Sequence, residues 1–388
     1  MKIVHLCLCS PFYEGYAYQD NLLPIYHKRA GHDVTIITSP YGKFKDTSGF
    51  ETVPPGEYLL DDGIKLIRLR AVLPQKINTH VYWYYGLHKQ LKKEKPDLMF
   101  VHGVESLNYL CLSRYKHAHP SVKIVFDNHT DKINSLHHWT TKLYSKIVVK
   151  GIIVKRLIPI AEWFYGTTPV RSTFLLEQYS VPEQKIKLLP MGADDDEMHL
   201  DKKQAIREEV RTQYDITEND FLVVTGGKID PLKNIHVLAE AVSMIEDKNV
   251  KILIFGSIRD DLKETFDRLQ SERIICVGWQ PANQVYRYFY AADLVVFPGL
   301  HSVLWEQAVA SKTPCAFSKI DGFEHIDIGG NCVLMDGKDA GYYKSVIEKI
   351  HQDKSFYQEM INVAESPHSE KFLYSRIAQQ VIDDAFSK

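Results

Sequence analysis

The chain has 388 residues, more than a single hydrophobic core usually holds, so two domains are expected. Hydrophobic residues make up 45% and charged residues 25%, the balance of a soluble globular protein, and no apolar run reaches the roughly 18–20 residues of a membrane-spanning helix. The net charge of −2 hides an asymmetry, since residues 1–195 carry 25 Lys and Arg against 18 Asp and Glu while the remainder carries 22 against 31. In chain order, the opening MKIVHLCLCS is superficially like a short leader, but its apolar run is brief and no small-residue cleavage site follows, so it is read as a strand at 2–8. Gly31 stops a helix ahead of a β-branched strand at 33–39, and further strands are read at 64–70, 97–103, 123–128, 163–167 and 187–190. Helices fall between most of them. A boundary is read near 192–219, after which strands at 221–225, 250–255, 273–277 and 294–297 repeat the alternation and 370–387 closes the chain as a helix. The expected fold is α/β, with two sheets in tandem and no internal repeat.

Part of the basic surplus lies in Lys142, Lys146, Lys150, Lys155 and Arg156, which alternate with apolar residues. Such a segment either lies on an anionic membrane or is a core helix with a solvated basic face. Asp194, Asp195, Asp196 and Glu197 are read as a solvated loop whose carboxylates do not converge, so no metal is expected there. Cys7, Cys9, Cys111, Cys276, Cys315 and Cys332 show neither metal nor disulfide spacing, which points to a reducing cytoplasm.

Two stretches carry chemistry. In 296–314, VFPGLHSVLWEQAVASKTP, Pro298 and Gly299 end an apolar strand, and the free amides of His301, Ser302 and Val303 open a helix bearing Glu306. That is a cradle for an anion. In 221–241, FLVVTGGKIDPLKNIHVLAEA, Gly226 and Gly227 are expected to let a ligand approach the backbone, and Lys228 and Lys233 place two cations ahead of a helix. The combination suits a diphosphate. No GxGxxG follows any strand, which disfavours an NAD-dependent oxidoreductase.

In these residues the chain resembles the family-4 retaining glycosyltransferases. Their G-R-L-x-x-x-K-x segment is matched by Gly227, Lys228 and Ile229 with Lys233 and Asn234, lysine replacing arginine. Their strand, turn and E-A-x-A-x-G-x-P helix are matched by Phe297–Gly299, by Glu306–Ala310 and by Thr313 and Pro314. A histidine after an N-terminal strand is matched by His129. The family's Glu-x7-Glu is incomplete: the position eight before Glu306 is Pro298, so the first glutamate is absent. Either His301 or Ser302 stands in for it, or the donor geometry differs. The resemblance implies a GT-B fold, two Rossmann-like domains facing across a cleft. The expected domains are an acceptor-binding domain at 1–195, a nucleotide-sugar-binding domain at 196–370, and a helix at 371–388 that packs back on the first.

The resemblance further implies Glu306 on the donor ribose, Lys228 and Lys233 on the phosphates, and His129 orienting donor sugar or acceptor, with retention and without a metal. Gly227, His301, Ser302 and Val303 complete the expected donor site. Trp279 and Gln280, after a strand, either contact the base or are simply packed. In the first domain the aromatic loop at 11–21 offers Tyr16, Tyr18 and Gln19 to a sugar acceptor, with a packed loop as the other reading, and His102 ends a neighbouring strand. The function expected is hexosyl transfer from a UDP- or GDP-sugar, with no other cofactor, to a saccharide or polyprenyl-linked acceptor in surface polysaccharide assembly. No nucleic-acid partner is expected. The location expected is cytoplasmic, with peripheral contact at the inner face of the plasma membrane. Transfer to a small molecule or protein, and a nucleotide-sugar-binding subunit without turnover, stand as alternatives.

Overall fold

The structure, a computed structural model, describes residues 1–43, 51–132 and 139–387. They divide into two compact units, Met1–Pro190 with Tyr374–Lys388, and Met191–Leu373.

The sheet of the first unit runs Ile186–Leu188, Trp163–Gly166, Lys123–Asn128, Leu98–His102, Lys2–Cys7, Asp33–Thr38, Lys65–Arg68, Gly56–Leu59. All pairs are parallel except the last, where Gly56–Leu59 turns back along Lys65–Arg68. Leu98–His102, LMFVH, is buried along its length, as a parallel strand covered on both faces must be. Lys2–Cys7 and Leu98–His102 are neighbours at the point where the winding reverses, with Cys7 opposite His102 at their C-terminal ends. The helix Tyr374–Phe386 belongs to this unit. Trp163 Nε1 and the Tyr165 hydroxyl donate to the backbone and side chain of Asp384, and Tyr374, Ile377 and Val381 pack on Leu22, Leu23 and Tyr26.

In the second unit the order is Ile274–Gly278, Val250–Phe255, Phe221–Gly226, Leu294–Phe297, Cys315–Ser318, Cys332–Met335, all parallel. This is the doubly wound order 3-2-1-4-5-6. Its last two strands were not anticipated from sequence.

The basic segment is neither of its two expected forms alone. It begins as the helix Trp139–Tyr144, widens to π-type winding over Ser145–Val154 and ends at Lys155–Leu157. Val149, Ile153, Val154 and Leu157 join the core, while Trp139, Leu143, Ile147 and Ile152 stay exposed beside Lys142 and Lys146. The acidic run also differs from a plain loop. Asp194 caps the helical turn Asp195–Met198, its carboxylate accepting from the Asp196 N–H, so these charges sit at the positive end of a helix turn.

Candidate functional site

In open α/β sheets, ligands bind beyond the C-terminal strand ends where the winding reverses. In the second unit that point lies between Phe221–Gly226 and Leu294–Phe297, and both motif stretches leave from those two strand ends. The chain stitches the two loops together. Asn234 Nδ2 donates to Pro298 O at 3.2 Å, Leu300 N to Leu232 O at 3.3 Å, and Lys233 Nζ to Leu300 O at 2.5 Å. Gly299 is required by this contact, since a Cβ there would lie 2.3 Å from Lys233 Cα.

Gly226 has a role within the sheet. A Cβ at Gly226 would meet the Phe255 carbonyl at 2.4 Å, so glycine there serves strand packing. Gly227 has φ of +107°, a conformation open to glycine, and turns the chain toward Lys228. Lys228 is exposed, whereas Lys233 is half-buried with its ammonium on the carbonyls of Leu300 and His301. Burial pushes the Lys233 ammonium below the usual lysine range. Lys233 therefore holds the 298–301 turn as well as offering charge.

Glu306 is not a solvated helix carboxylate. It is fully buried on the helix Leu304–Ala310, and both of its oxygens receive His301 Nε2, at 2.8 and 3.1 Å. His325 Nε2 reaches Oε1 at 2.9 Å. Burial opposes ionisation of Glu306, but the two imidazoles outweigh it and draw the carboxyl down to about 2. His301 lies tilted by 35° against Phe323 at 4.5 Å and edge-on to Trp305 at 5.2 Å, which fixes its ring. Ser302 and Val303 form the turn into the helix, with Ser302 O accepting from Trp305 N. Trp279 is not packed: it is 70% exposed after the strand Ile274–Gly278, and Gln280 Nε2 is tied to Val277 O.

In the first unit, the strand Lys123–Asn128 ends in Asp127 and Asn128, with His129 next. Asp127 is fully buried; its Oδ1 accepts from Gly103 N at 2.9 Å, and Oδ2 receives His129 Nε2 at 3.2 Å and faces His102 Nδ1 at 3.0 Å. Burial opposes the charge of Asp127, but His129 and His102 hold it well below the usual carboxylate range. Burial would lower the His129 imidazole, yet Asp127 holds it above the usual histidine value. His129 keeps 40% of its side chain exposed. His102, expected at the acceptor, is buried, with its ring nitrogens facing His5 and Asp127, so it is not placed to touch one.

Tyr13, Tyr16 and Tyr18 form one aromatic cluster, with Tyr16 and Tyr18 stacked at 5.5 Å and Tyr18 52% exposed. Gln19, the first residue of the helix Gln19–Arg29, is buried rather than exposed, and neither atom of its amide has a partner among the described residues. Such an orphaned amide is costly unless something else satisfies it. Two groups bring metal-ligand types within 4.8 Å: His102, Asp127 and His129, and His301, Glu306 and His325. In both, the hydrogen bonds and ion-pair contacts given above account for the arrangement.

Residues 25–197 match the model described as Glycosyltransferase Family 4, and residues 206–366 match that described as Glycosyl transferases group 1. The chain belongs to the family-4 glycosyltransferases. It is 23% identical over 237 residues to a D-inositol 3-phosphate glycosyltransferase of Arthrobacter sp. (strain FB24), covering 58% of this chain and 55% of that one. It is 26% identical over 181 residues to the lipopolysaccharide core biosynthesis glycosyltransferase LpsE of Rhizobium meliloti (strain 1021), covering 45% and 51%. The chain thus spans about half the length of these relatives. The crystal structure of Anabaena HepE in complex with UDP aligns over 99% of both chains with a TM-score of 0.68 at 16% identity, which places the two Rossmann-like units of this chain in the GT-B fold.

In this chain the turn that departs from the family's Glu-x7-Glu spacing is the one stitched to Lys233 and Asn234. Sequence reasoning missed the roles of His325 and Asp127. Asp127 had a signal, a carboxylate at the C-terminal end of an apolar strand. His325 had none, since it lies 19 residues from Glu306 in the short turn Glu324–Ile326.

Proposed function

We propose that the chain transfers a hexose-type sugar, with retention and without a metal ion, from a UDP- or GDP-sugar to a saccharide or lipid-linked acceptor in surface polysaccharide assembly. The observation that carries this reading is the pair of stitched loops at the switch point of the second unit, with Lys228 exposed beside them. Transfer breaks the bond between the anomeric carbon and the diphosphate oxygen and forms one to the acceptor oxygen, whose proton passes to the departing phosphate. The charge that builds on that phosphate is met by Lys228 and Lys233, and fixed donors of this kind commonly contribute about 3 kcal/mol each. His301, held on Glu306, takes the place of the absent first glutamate, and Glu306, fixed by His325, is the ribose-side carboxylate.

Tyr16 and Tyr18 supply a stacking surface suited to a sugar acceptor. Membrane contact is supported by the exposed Trp139, Leu143 and Ile147, four residues apart, beside Lys142 and Lys146, which make no ion pair among the described residues. No helix among the described residues is long and apolar enough to cross a membrane, so this contact would be peripheral. A second reading, a small soluble acceptor, is favoured by the similarity to a D-inositol 3-phosphate glycosyltransferase. Labelled UDP- and GDP-hexoses, incubated with lipid extract or with soluble sugar phosphates in EDTA, test both. Label entering the lipid phase is the expected result; label entering only soluble product would favour the second reading, and transfer that requires added manganese or magnesium would overturn the metal-free chemistry.

A further inference from the structure

A cavity of about 190 Å³ opens in the first unit between the loop after Lys2–Cys7, the start of the helix Gln19–Arg29 and the turn that joins Gly56–Leu59 to Lys65–Arg68. Its floor is apolar, with Phe12, Ile36 and Ile64 buried and Ile25 beside them. Its polar lining is one-sided. Asp61 and Asp62 stand exposed on the turn, where Leu60 N donates to Ile64 O and Gly63 N to Leu60 O, and they make no ion pair among the described residues. Glu14 Oε1 takes the Arg68 guanidinium at 2.7 Å, and Arg68 is buried and does not line the cavity. Asn21 completes the wall. It is 7% exposed, and its Nδ2 donates to Tyr13 O at 2.9 Å, which leaves Oδ1 with no partner among the described residues.

Turn chemistry accounts for the Asp-Asp-Gly run at 61–63. It does not account for a buried amide oxygen without a donor at a cavity wall, an arrangement that is costly unless an occupant supplies the hydrogen. Apart from the Tyr16 hydroxyl, the polar side chains lining this space have only acceptors to offer. The occupant they suit is positively charged and rich in donors, which describes a primary ammonium, with three donors and no acceptor. The space far exceeds that of a single water, so a ring-sized group fits. Tyr16 lines the cavity and stacks on Tyr18 at 5.5 Å, which ties the cavity to the exposed tyrosine surface.

We propose that the acceptor is an amino sugar, held with its ring against Tyr16 and its ammonium among Asp61, Asp62 and Asn21. A hydroxyl or acetamido group at the same place carries no charge for the two free carboxylates to meet, so the cavity selects the amine over its neutral counterparts. The inference rests on the acceptor role proposed for Tyr16 and Tyr18.

The test is binding of methyl glucosaminide, methyl glucoside and methyl N-acetylglucosaminide to the full-length protein, without any nucleotide-sugar, followed by ligand-observed NMR at low salt. The expected result is binding of the amine at least about tenfold tighter than of either neutral glycoside. Asp61→Asn combined with Asp62→Asn, which keeps turn-forming residues on an exposed turn, should remove that preference. Glu183→Gln, an exposed carboxylate ahead of the strand at the opposite edge of the sheet, should leave it intact. Equal binding of the three glycosides, a preference that survives the double variant, or one lost equally in Glu183→Gln would overturn the proposal. So would binding of none, which would leave the cavity to water. No donor is present in this experiment, so sugar transfer can fail while the amine still binds, and the reverse.

Discussion

Glu306 is a buried charge on two imidazoles, and its acid-base behaviour follows from that placement. Its carboxyl sits at about 2 in the fold and near 4.5 outside it. A depressed carboxylate contributes stability that is fully present above its unfolded value and is lost as pH falls through the folded one. Glu306→Gln should therefore lower unfolding stability at neutral pH by on the order of 1–3 kcal/mol, and the gap should shrink below about pH 4.5 and close as pH falls through about 2. Urea unfolding of both proteins across that range reads it; a gap constant with pH would assign the loss to packing. His129 has the opposite sign. Its raised value gives stability that is complete below about pH 6.5 and is lost as pH rises through the folded value, so the two windows do not overlap.

At the residue scale, what sequence carried was the type of group and its place on a strand end; what it could not carry was partnership. Glu306 stood out from its helix, but its second imidazole comes from a turn beyond the next strand, and only the folded sheet brings them together. His5 lay in view as a polar residue inside KIVHLC, yet its partners are 22 and 97 residues away.

Among the elements, the long apolar strands were legible because burial on both faces leaves no polar residue to break the run. The short strands Cys315–Ser318 and Cys332–Met335 were not, and neither was the widened winding of Ser145–Val154, which alters the spacing that a helical period assumes. That winding keeps Ile147 and Ile152 on the exposed side with Trp139 and Leu143. If this face meets an anionic membrane, each nearby lysine contributes on the order of 1 kcal/mol, weakened by salt. Replacing Lys142, Lys146 and Lys150 by glutamine should then reduce sedimentation with anionic liposomes by at least tenfold at low salt. Nucleotide binding, assigned to the second unit, should be unaffected. Wild-type protein that ignores such liposomes at low salt would remove the membrane from the account and favour a soluble acceptor.

For the whole molecule, α/β alternation, two units and the return of the last helix to the first were all in the sequence pattern and its resemblance, and the sheet orders supply what pattern could not: where each winding reverses. In the second unit that point joins a glycine-lysine turn to the turn ahead of Glu306, and the account stands on a nucleotide-sugar diphosphate binding there. Thermal unfolding with a panel of nucleotide-sugars, run on wild type and on Lys228→Ala, tests this most directly. Lys228 is the variant of choice because Lys233 also holds the 298–301 turn, so its loss would confuse binding with folding. The account predicts that one UDP- or GDP-sugar stabilises wild type by about 2.7 kcal/mol at 100 times its dissociation constant, and that Lys228→Ala, equally stable alone, loses most of that gain. Stabilisation of the same size in both proteins, or by none of the nucleotide-sugars in either, would contradict it.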